Sequence, residues 1–288
     1  MTGAETDRRG IADRIAPLPR STRPTPTWDE CAVLVHEPVG DTQHRLVLHS
    51  PTIAERTSAG QFVMVTIPAG VAARSVLPRP MAVHRRRVDD GAFEIVYRAG
   101  GAGTQALTAV RPGESLLITG PLGQGFTLAP ATERLLVVGR GIGVCSIMTV
   151  VEDAVRAAIA VTGVLSARTE AALVGSADLA ELGVGEGIAV TDEAGTSDVD
   201  RLAARLRTLL DDRPPQQIMV CGSDRLARLC GDLASRWGAT VQVSVEAHMA
   251  CGLGYCHGCA SAAATTEGES PLVCADGPVF ALTGGGRT

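Results

Sequence analysis

Four cysteines near the C-terminus, Cys251, Cys256, Cys259 and Cys274, stand at spacing C-x4-C-x2-C-x14-C, and the first three share the run CGLGYCHGC. A C-x4-C-x2-C loop with a distant fourth thiolate is the plant-type arrangement that wraps a [2Fe–2S] cluster. Gly252, Gly254 and Gly258 suit such a loop, which needs positive φ and backbone N–H groups close to the sulfides. Three ordinary readings stand beside this one. Structural zinc usually takes two C-x2-C knuckles, and only Cys256 and Cys259 make one. A Rieske centre needs two histidines, and His257 is the only one in the motif. Disulfides need an oxidising compartment, but MTGAETDRRG has no basic start followed by an apolar stretch, so a reducing, cytoplasmic setting is expected.

Two further groups of residues could bind a cofactor. Gly139, Gly141 and Gly143 follow the apolar run RLLVVG, and Cys221-Gly222 closes the run QIMVC. Both sit where an α/β sheet places ligands, at the carboxyl ends of its strands. The spacing G-x-G-x-G is not the G-x-G-x-x-G dinucleotide fingerprint, and such glycines often serve only strand–helix packing. A free cysteine such as Cys221 is most often a small buried hydrophobe. Upstream stand Arg79-Pro80-Met81-Ala82, Val96-Tyr97-Arg98 and Gly101-Ala102-Gly103-Thr104. An arginine can fork onto a pyrophosphate, a tyrosine can stack on or hydrogen-bond a flavin, and Gly103-Thr104 offers N–H groups to phosphate. Each piece alone is an ordinary turn or loop.

The elements that must position these residues change character along the chain. Residues 1–28 hold arginines and the stretch RSTRPTPT without hydrophobic period, which reads as a disordered extension. Residues 29–129 contain short strand-like runs closed by Gly, Pro or Asp turns (CAVLVHE, HRLVLHS, QFVMVTI, FEIVYR, SLLITG), the pattern of an antiparallel β-barrel. Residues 130–245 alternate strands with amphipathic segments, the pattern of a parallel α/β sheet. Residues 246–288 form a small C-terminal cluster module that relies on its metal for stability.

Composition bounds the partners. The 288 residues carry a net charge of −5, which argues against nucleic acid, and no apolar run is long enough to span a membrane. All 26 basic residues are arginine, which excludes lysine Schiff-base chemistry and the P-loop lysine.

Over residues 30–282 the chain resembles the ferredoxin-reductase-like flavoproteins, in particular the electron-transfer subunits of NAD-dependent dihydroorotate dehydrogenases of pyrimidine biosynthesis. The stretches that carry the resemblance are GQFVMV at 60–65, GPLGQGF at 120–126, EAHMACGLGYCHGC at 246–259 and VCADGPVF at 273–280. The resemblance implies that Arg79 to Ala82, Val96 to Arg98, and Gly103-Thr104 hold FAD, and that the four cysteines hold a [2Fe–2S] cluster. It also implies NAD(H) at Gly139, Gly141, Gly143, Cys221 and Gly222. The partner implied is an FMN-containing dehydrogenase subunit in a heterotetramer, which passes electrons from dihydroorotate through cluster and FAD to NAD⁺. Three motifs depart from the family pattern. Ala82 replaces the serine of R-P-x-S, Arg140 and Ser146 interrupt G-G-G-I-G-x-A-P, and Ser223 replaces the proline of C-G-P. Direct reaction with NAD(H) is therefore expected to be impaired. One alternative is a flavo-iron–sulfur reductase serving another oxidoreductase, and another is a zinc-stabilised binding module without catalysis. Tyr255, Val279 and Phe280 are the expected partner-facing residues, with Phe280 as a core residue the competing reading.

Overall fold

The computed structural model describes residues 10–19, 25–68, 77–261 and 269–283. Strand β1 (Ile15–Pro17) is followed by β2 (Thr27–Pro38), β3 (Gln43–His49), helix α1 (Pro51–Arg56), β4 (Phe62–Val65), β5 (Arg79–Ala82), β6 (Arg85–Arg87), β7 (Ala92–Arg98), α2 (Ala102–Leu107) and β8 (Ser115–Leu122). Then come β9 (Arg134–Arg140), α3 (Val144–Arg156), β10 (Ala160–Ala167), α4 (Ser176–Glu181), β11 (Glu186–Thr191), α5 (Val199–Leu210), β12 (Gln217–Cys221), α6 (Asp224–Trp237), β13 (Thr240–Ser244) and β14 (Val279–Leu282).

Strands β2 to β8 make one antiparallel sheet in the order β5-β4-β8-β2-β3-β7-β6, curved into a half-barrel. Its core is built by alternation. Cys31 and Val33, Leu46 and Leu48, Val63 and Val65, and Phe93, Ile95 and Tyr97 point to one shared interior, as period-2 side chains on a curved sheet must. Phe62 and Met64 point the other way, into the core beneath the cysteine loop.

The second sheet runs β1-β14-β13-β12-β9-β10-β11, with β13 to β11 parallel and β14 and β1 added antiparallel. Chain order reverses beside β9, because β10 and β11 lie on one side and β12 and β13 on the other. That is the topological switch point, where a ligand crevice forms. The helices cover this sheet with apolar residues at helical spacing. In α3 these are Val144, Ile147, Met148, Val151 and Ala154, and in α6 Leu226, Leu229, Cys230 and Leu233. Helix α6 starts on the Ser223 hydroxyl, which accepts from Leu226 N–H at 3.3 Å, and stops at Gly238 with φ 66°.

Two expectations are corrected. Residues 11–17 are not a disordered tail, since Ile11 and Ile15 enter the core beside α6 and Ile15–Pro17 pairs with Phe280–Leu282. Two apolar residues and an open sheet edge outweigh the polar composition around them; residues 1–9 and 20–24 lie outside the described residues. Phe280 and Val279 are both 0% exposed, so they belong to the core and not to a partner surface. Through β14 the C-terminal segment is also part of the α/β sheet.

The run His84-Arg85-Arg86-Arg87, which composition alone would place in solvent, joins the two sheets. Arg85 Nε donates to Glu152 Oε1 at 2.7 Å and Arg86 Nε to Glu152 Oε2 at 3.0 Å, while Arg86 Nη2 reaches Asp153 at 2.6 Å. Arg85 also meets Asp178 at 3.2 Å, and His84 Nε2 lies 3.3 Å from the same carboxylate. Burial pushes Asp178 up, but His84 and Arg85 outweigh it and hold the carboxyl at about 2. Glu152→Ala would remove the carboxylate that both buried guanidiniums share, leaving Arg85 to Asp178 and Glu181 and Arg86 to Asp153. Denaturant unfolding should show a loss of about 3–5 kcal/mol, whereas a loss near zero would mean that the seam is dispensable.

Candidate functional site

A cleft of about 310 Å³ opens between the half-barrel and the α/β sheet. Eight of the nine residues expected to hold a flavin line it: Arg79, Pro80, Met81, Ala82, Val96, Tyr97, Arg98 and Thr104. The ninth, Gly103, lies beneath Arg79, where a Cβ would come within 2.6 Å of the guanidinium Nη2. Glycine at 103 lets the guanidinium rest against the backbone of α2, and a side chain there would push it aside. The Thr104 hydroxyl accepts from Gly100 and Gly101 N–H at 3.2 and 3.1 Å and so locks its own loop. Tyr97 is braced from behind. His36 Nδ1 lies 2.8 Å from the Val110 carbonyl, which makes it the N–H donor, so His36 Nε2 accepts the Tyr97 hydroxyl at 3.0 Å. His44 stacks on Tyr97 at 5.5 Å, and burial pushes the phenol up. The opposite wall comes from Ile142 in the glycine turn, from Cys145 and Ser146 on the first turn of α3, and from Glu246, Ala247 and Met249 on the way to the cysteines. These residues fall inside stretches the sequence singled out for the cysteines and the glycine turn, but nothing in those patterns shows that they wall the flavin cleft.

The cysteine loop sits against the half-barrel. Gly252 (φ 70°) and Gly254 (φ 87°) let it turn twice within four residues, and His257 also adopts φ 56°. Gly252 faces Met64 of β4, where a Cβ would stand 2.7 Å from Cγ and 2.9 Å from Sδ. The four thiols form two pairs. Cys256 donates to Cys251, and Cys274 to Cys259, whose sulfur also accepts the Cys274 N–H at 3.4 Å. Desolvation pushes Cys251 up, but N–H groups of Leu253, Cys256 and Tyr255 outweigh it and hold the thiol at about 6. Burial and the neighbouring Cys259 push Cys274 up to about 12. Among the described residues no three of these sulfurs come within 4.8 Å of one another. A single tetrahedral zinc needs all four sulfurs around one centre, whereas two irons bridged by sulfides need two pairs. The donor set therefore fits a [2Fe–2S] cluster and not one zinc. Cys259 and Cys274 are buried, while Cys256 is exposed beside Tyr255, which is 84% exposed.

At the switch point Gly139 pairs with Cys221 across β9 and β12. Gly139 and Gly143 are packing residues: a Cβ would meet Val144 at 2.8 Å from the first and the Cys221 backbone at 2.9 Å from the second. Gly222 (φ 129°) lies on the Arg140 carbonyl at 2.7 Å by the same measure. Gly141 (φ 55°) alone faces open space. Cys221 is buried, its thiol pushed up to about 11 by that burial against the hydroxyls of Ser146 and Ser244. Arg140 points along the strand ends and forms a two-armed ion pair with Asp192, at 2.6 and 3.2 Å. The direction of this side chain could not be read from local pattern, because Asp192 lies 52 residues away.

This pairing of a half-barrel with an α/β sheet is the ferredoxin-reductase-like fold, and comparison agrees. A solved NADH-dependent reduced ferredoxin-NADP oxidoreductase superposes with TM-score 0.73 at 22% identity, covering 88% of each chain. Phthalate dioxygenase reductase superposes with TM-score 0.57 at 14% identity, over 73% of this chain and 65% of that one. Residues 246–283 match the model of the iron–sulfur cluster binding domain of dihydroorotate dehydrogenase B. The electron transfer subunit of dihydroorotate dehydrogenase B (NAD(+)) from Geobacillus kaustophilus is 32% identical over 247 residues, covering 84% of this chain and 92% of its own. Its counterpart from Enterococcus faecalis is 30% identical over 245 residues, covering 82% and 90%. The chain belongs to this family of electron transfer subunits, and its cofactors are FAD and a [2Fe–2S] cluster. Among the described residues no helix is long and apolar enough to cross a membrane.

Cys256→Ser should remove iron and sulfide while leaving flavin absorbance, whereas serine at Cys31, Cys145 or Cys230, all buried and outside the two sulfur pairs, should leave iron unchanged. Metal and sulfide analysis reads both, and full iron in Cys256→Ser would contradict the ligand set.

Proposed function

We propose that the chain passes electrons between an FMN-containing dihydroorotate dehydrogenase subunit and a pyridine nucleotide, in a cytoplasmic hetero-tetramer, with chemistry on the organic substrate confined to the partner. The observation that carries the reading is the seat of Gly252 on Met64. Met64 pairs with Pro80 across β4 and β5, and Pro80 lines the cleft. The cysteine loop and the flavin cleft thus share one pair of strands, with no intervening layer.

The residues divide the work. Arg79, seated over Gly103, offers a guanidinium fork to a pyrophosphate, and Pro80, Met81, Ala82 and Val96 give the cleft an apolar lining for a ring system. Ala82 presents a methyl group where a hydroxyl would organise the reactive edge. Flavin, when bound, supplies the conversion between two-electron hydride transfer and one-electron transfer to the cluster. The outer sulfur pair, with Cys256 and Tyr255 at the surface, faces a partner, and the inner pair is shielded. An exposed aromatic beside a redox centre is the kind of anchor that protein interfaces use.

Arg79→Ala should weaken flavin retention by about 1.5–3 kcal/mol, and the flavin released from the parent protein should be FAD by chromatography; FMN would contradict the cleft assignment. Co-expression with an FMN-type dihydroorotate dehydrogenase should give a complex in which dihydroorotate reduces flavin and cluster anaerobically. Tyr255→Asp should break that complex and spare both cofactors. Reduction by dihydroorotate without the partner would contradict the division of labour.

A further inference from the structure

β9, β10 and β11 end side by side, with Arg140 opposite Ser166 and Ala167 opposite Thr191. Across these ends the Arg140 side chain closes a ring. Nη1 donates to Ser166 Oγ at 2.8 Å and to Asp192 Oδ1 at 3.2 Å, and Nη2 donates to Asp192 Oδ2 at 2.6 Å. Asp192 Oδ1 also accepts the Ser197 hydroxyl and faces Arg225 Nη2 of α6 at 3.7 Å. Both carboxylate oxygens are therefore engaged, and two guanidiniums converge on one carboxylate.

A dinucleotide whose pyrophosphate rests on the turn after the first strand carries its adenosine ribose to the end of the neighbouring strand. There an acidic residue accepts the 2′-hydroxyl, or an arginine takes a 2′-phosphate. β10 is that neighbour and Ser166 lies in its last two residues, so the guanidinium of Arg140 stands beside the ribose position. A neutral ribose can donate to the remaining lone pair of Asp192 Oδ2 but brings no charge to the guanidinium of Arg140. A phosphate monoester, carrying about −1.5 to −2 charge, can take the place of the carboxylate on the same fork and draw in Arg225.

Resting on the reading that a pyridine nucleotide exchanges electrons with the flavin, we infer that Arg140 and Asp192 set nucleotide selectivity and that the crevice prefers a 2′-phosphorylated dinucleotide. Arg140 reads the phosphate, and Asp192 holds the guanidinium in place until a phosphate takes it. This runs against the NAD(+) in the names of the relatives and follows from a side chain where their family pattern has glycine.

The test is calorimetric titration of the FAD- and iron-loaded chain with adenosine 2′,5′-bisphosphate and with 5′-AMP, fragments that bind without flavin reduction. The bisphosphate should bind at least about tenfold tighter. Arg140→Gln should abolish the preference, and Asp192→Asn should strengthen bisphosphate binding while leaving 5′-AMP unchanged, with thermal melting to confirm folding of both variants. Equal binding of the two fragments, or a preference that survives in Arg140→Gln, overturns the inference. Stopped-flow reduction separates the two levels. Faster flavin bleaching by NADH than by NADPH defeats the selectivity alone, whereas no binding of either fragment and no bleaching by either nucleotide defeats the pyridine-nucleotide reading with it.

Discussion

The contact of Gly252 with Met64 is the constraint on which the electron path depends. An electron carrier must hold its two redox groups close and fixed, and here the distance is set by a glycine that leaves no room for a methyl group against β4. Its positive φ is also one that other residues adopt only with strain. The same turn points the N–H groups of Leu253 and Tyr255 at Cys251, so one local conformation both presses the loop onto the half-barrel and supplies dipoles to the sulfur. A side chain at 252 would disturb spacing and ligand electrostatics together.

The second requirement is that the cleft keep its width, since one wall belongs to each sheet. Arg85 and Arg86 meet it by tying the edge strand β6 to α3 and α4 through Glu152, Asp153 and Asp178. A buried cluster of ions is a poor source of net stability but a demanding one geometrically, because each charge must keep its partner. Gly60 N–H adds a bond to the Thr149 hydroxyl at 2.9 Å, fixing the start of β4 to the same helix. The wall that carries Cys145 and Ser146 is thus held by the helix that also starts at the glycine turn.

What could be read from the sequence follows from how local each signal is. The cysteine spacing is a property of one loop, and the alternation in AFEIVYR or the helical period of α3 is a property of one element, so both sheets and the four candidate cysteines were legible. Arg79 and Gly103 were legible as candidates, but not their stacking, which joins β5 to α2. Phe280 looked available for docking because residues 246–288 read as a small separate module with an apolar edge, whereas Val279 to Leu282 is a strand between β13 and β1. The N-terminal correction has the same origin, since Ile15–Pro17 is too short to show periodicity and acquires its structure from a partner strand far along the chain. The direction of Arg140 and the burial of Arg85 and Arg86 also depend on carboxylates tens of residues away, information that spacing does not hold.

The central claim is that one chain joins a one-electron centre at its surface to a two-electron centre in its cleft. Anaerobic reductive titration of the isolated protein, followed by visible absorbance and electron paramagnetic resonance, tests it most directly. The account predicts uptake of about three electrons per chain, two on the flavin and one on the cluster, with the paramagnetic signal of a reduced [2Fe–2S] centre. Uptake of about two electrons with no cluster signal, from a protein that retains all four cysteines, would contradict it.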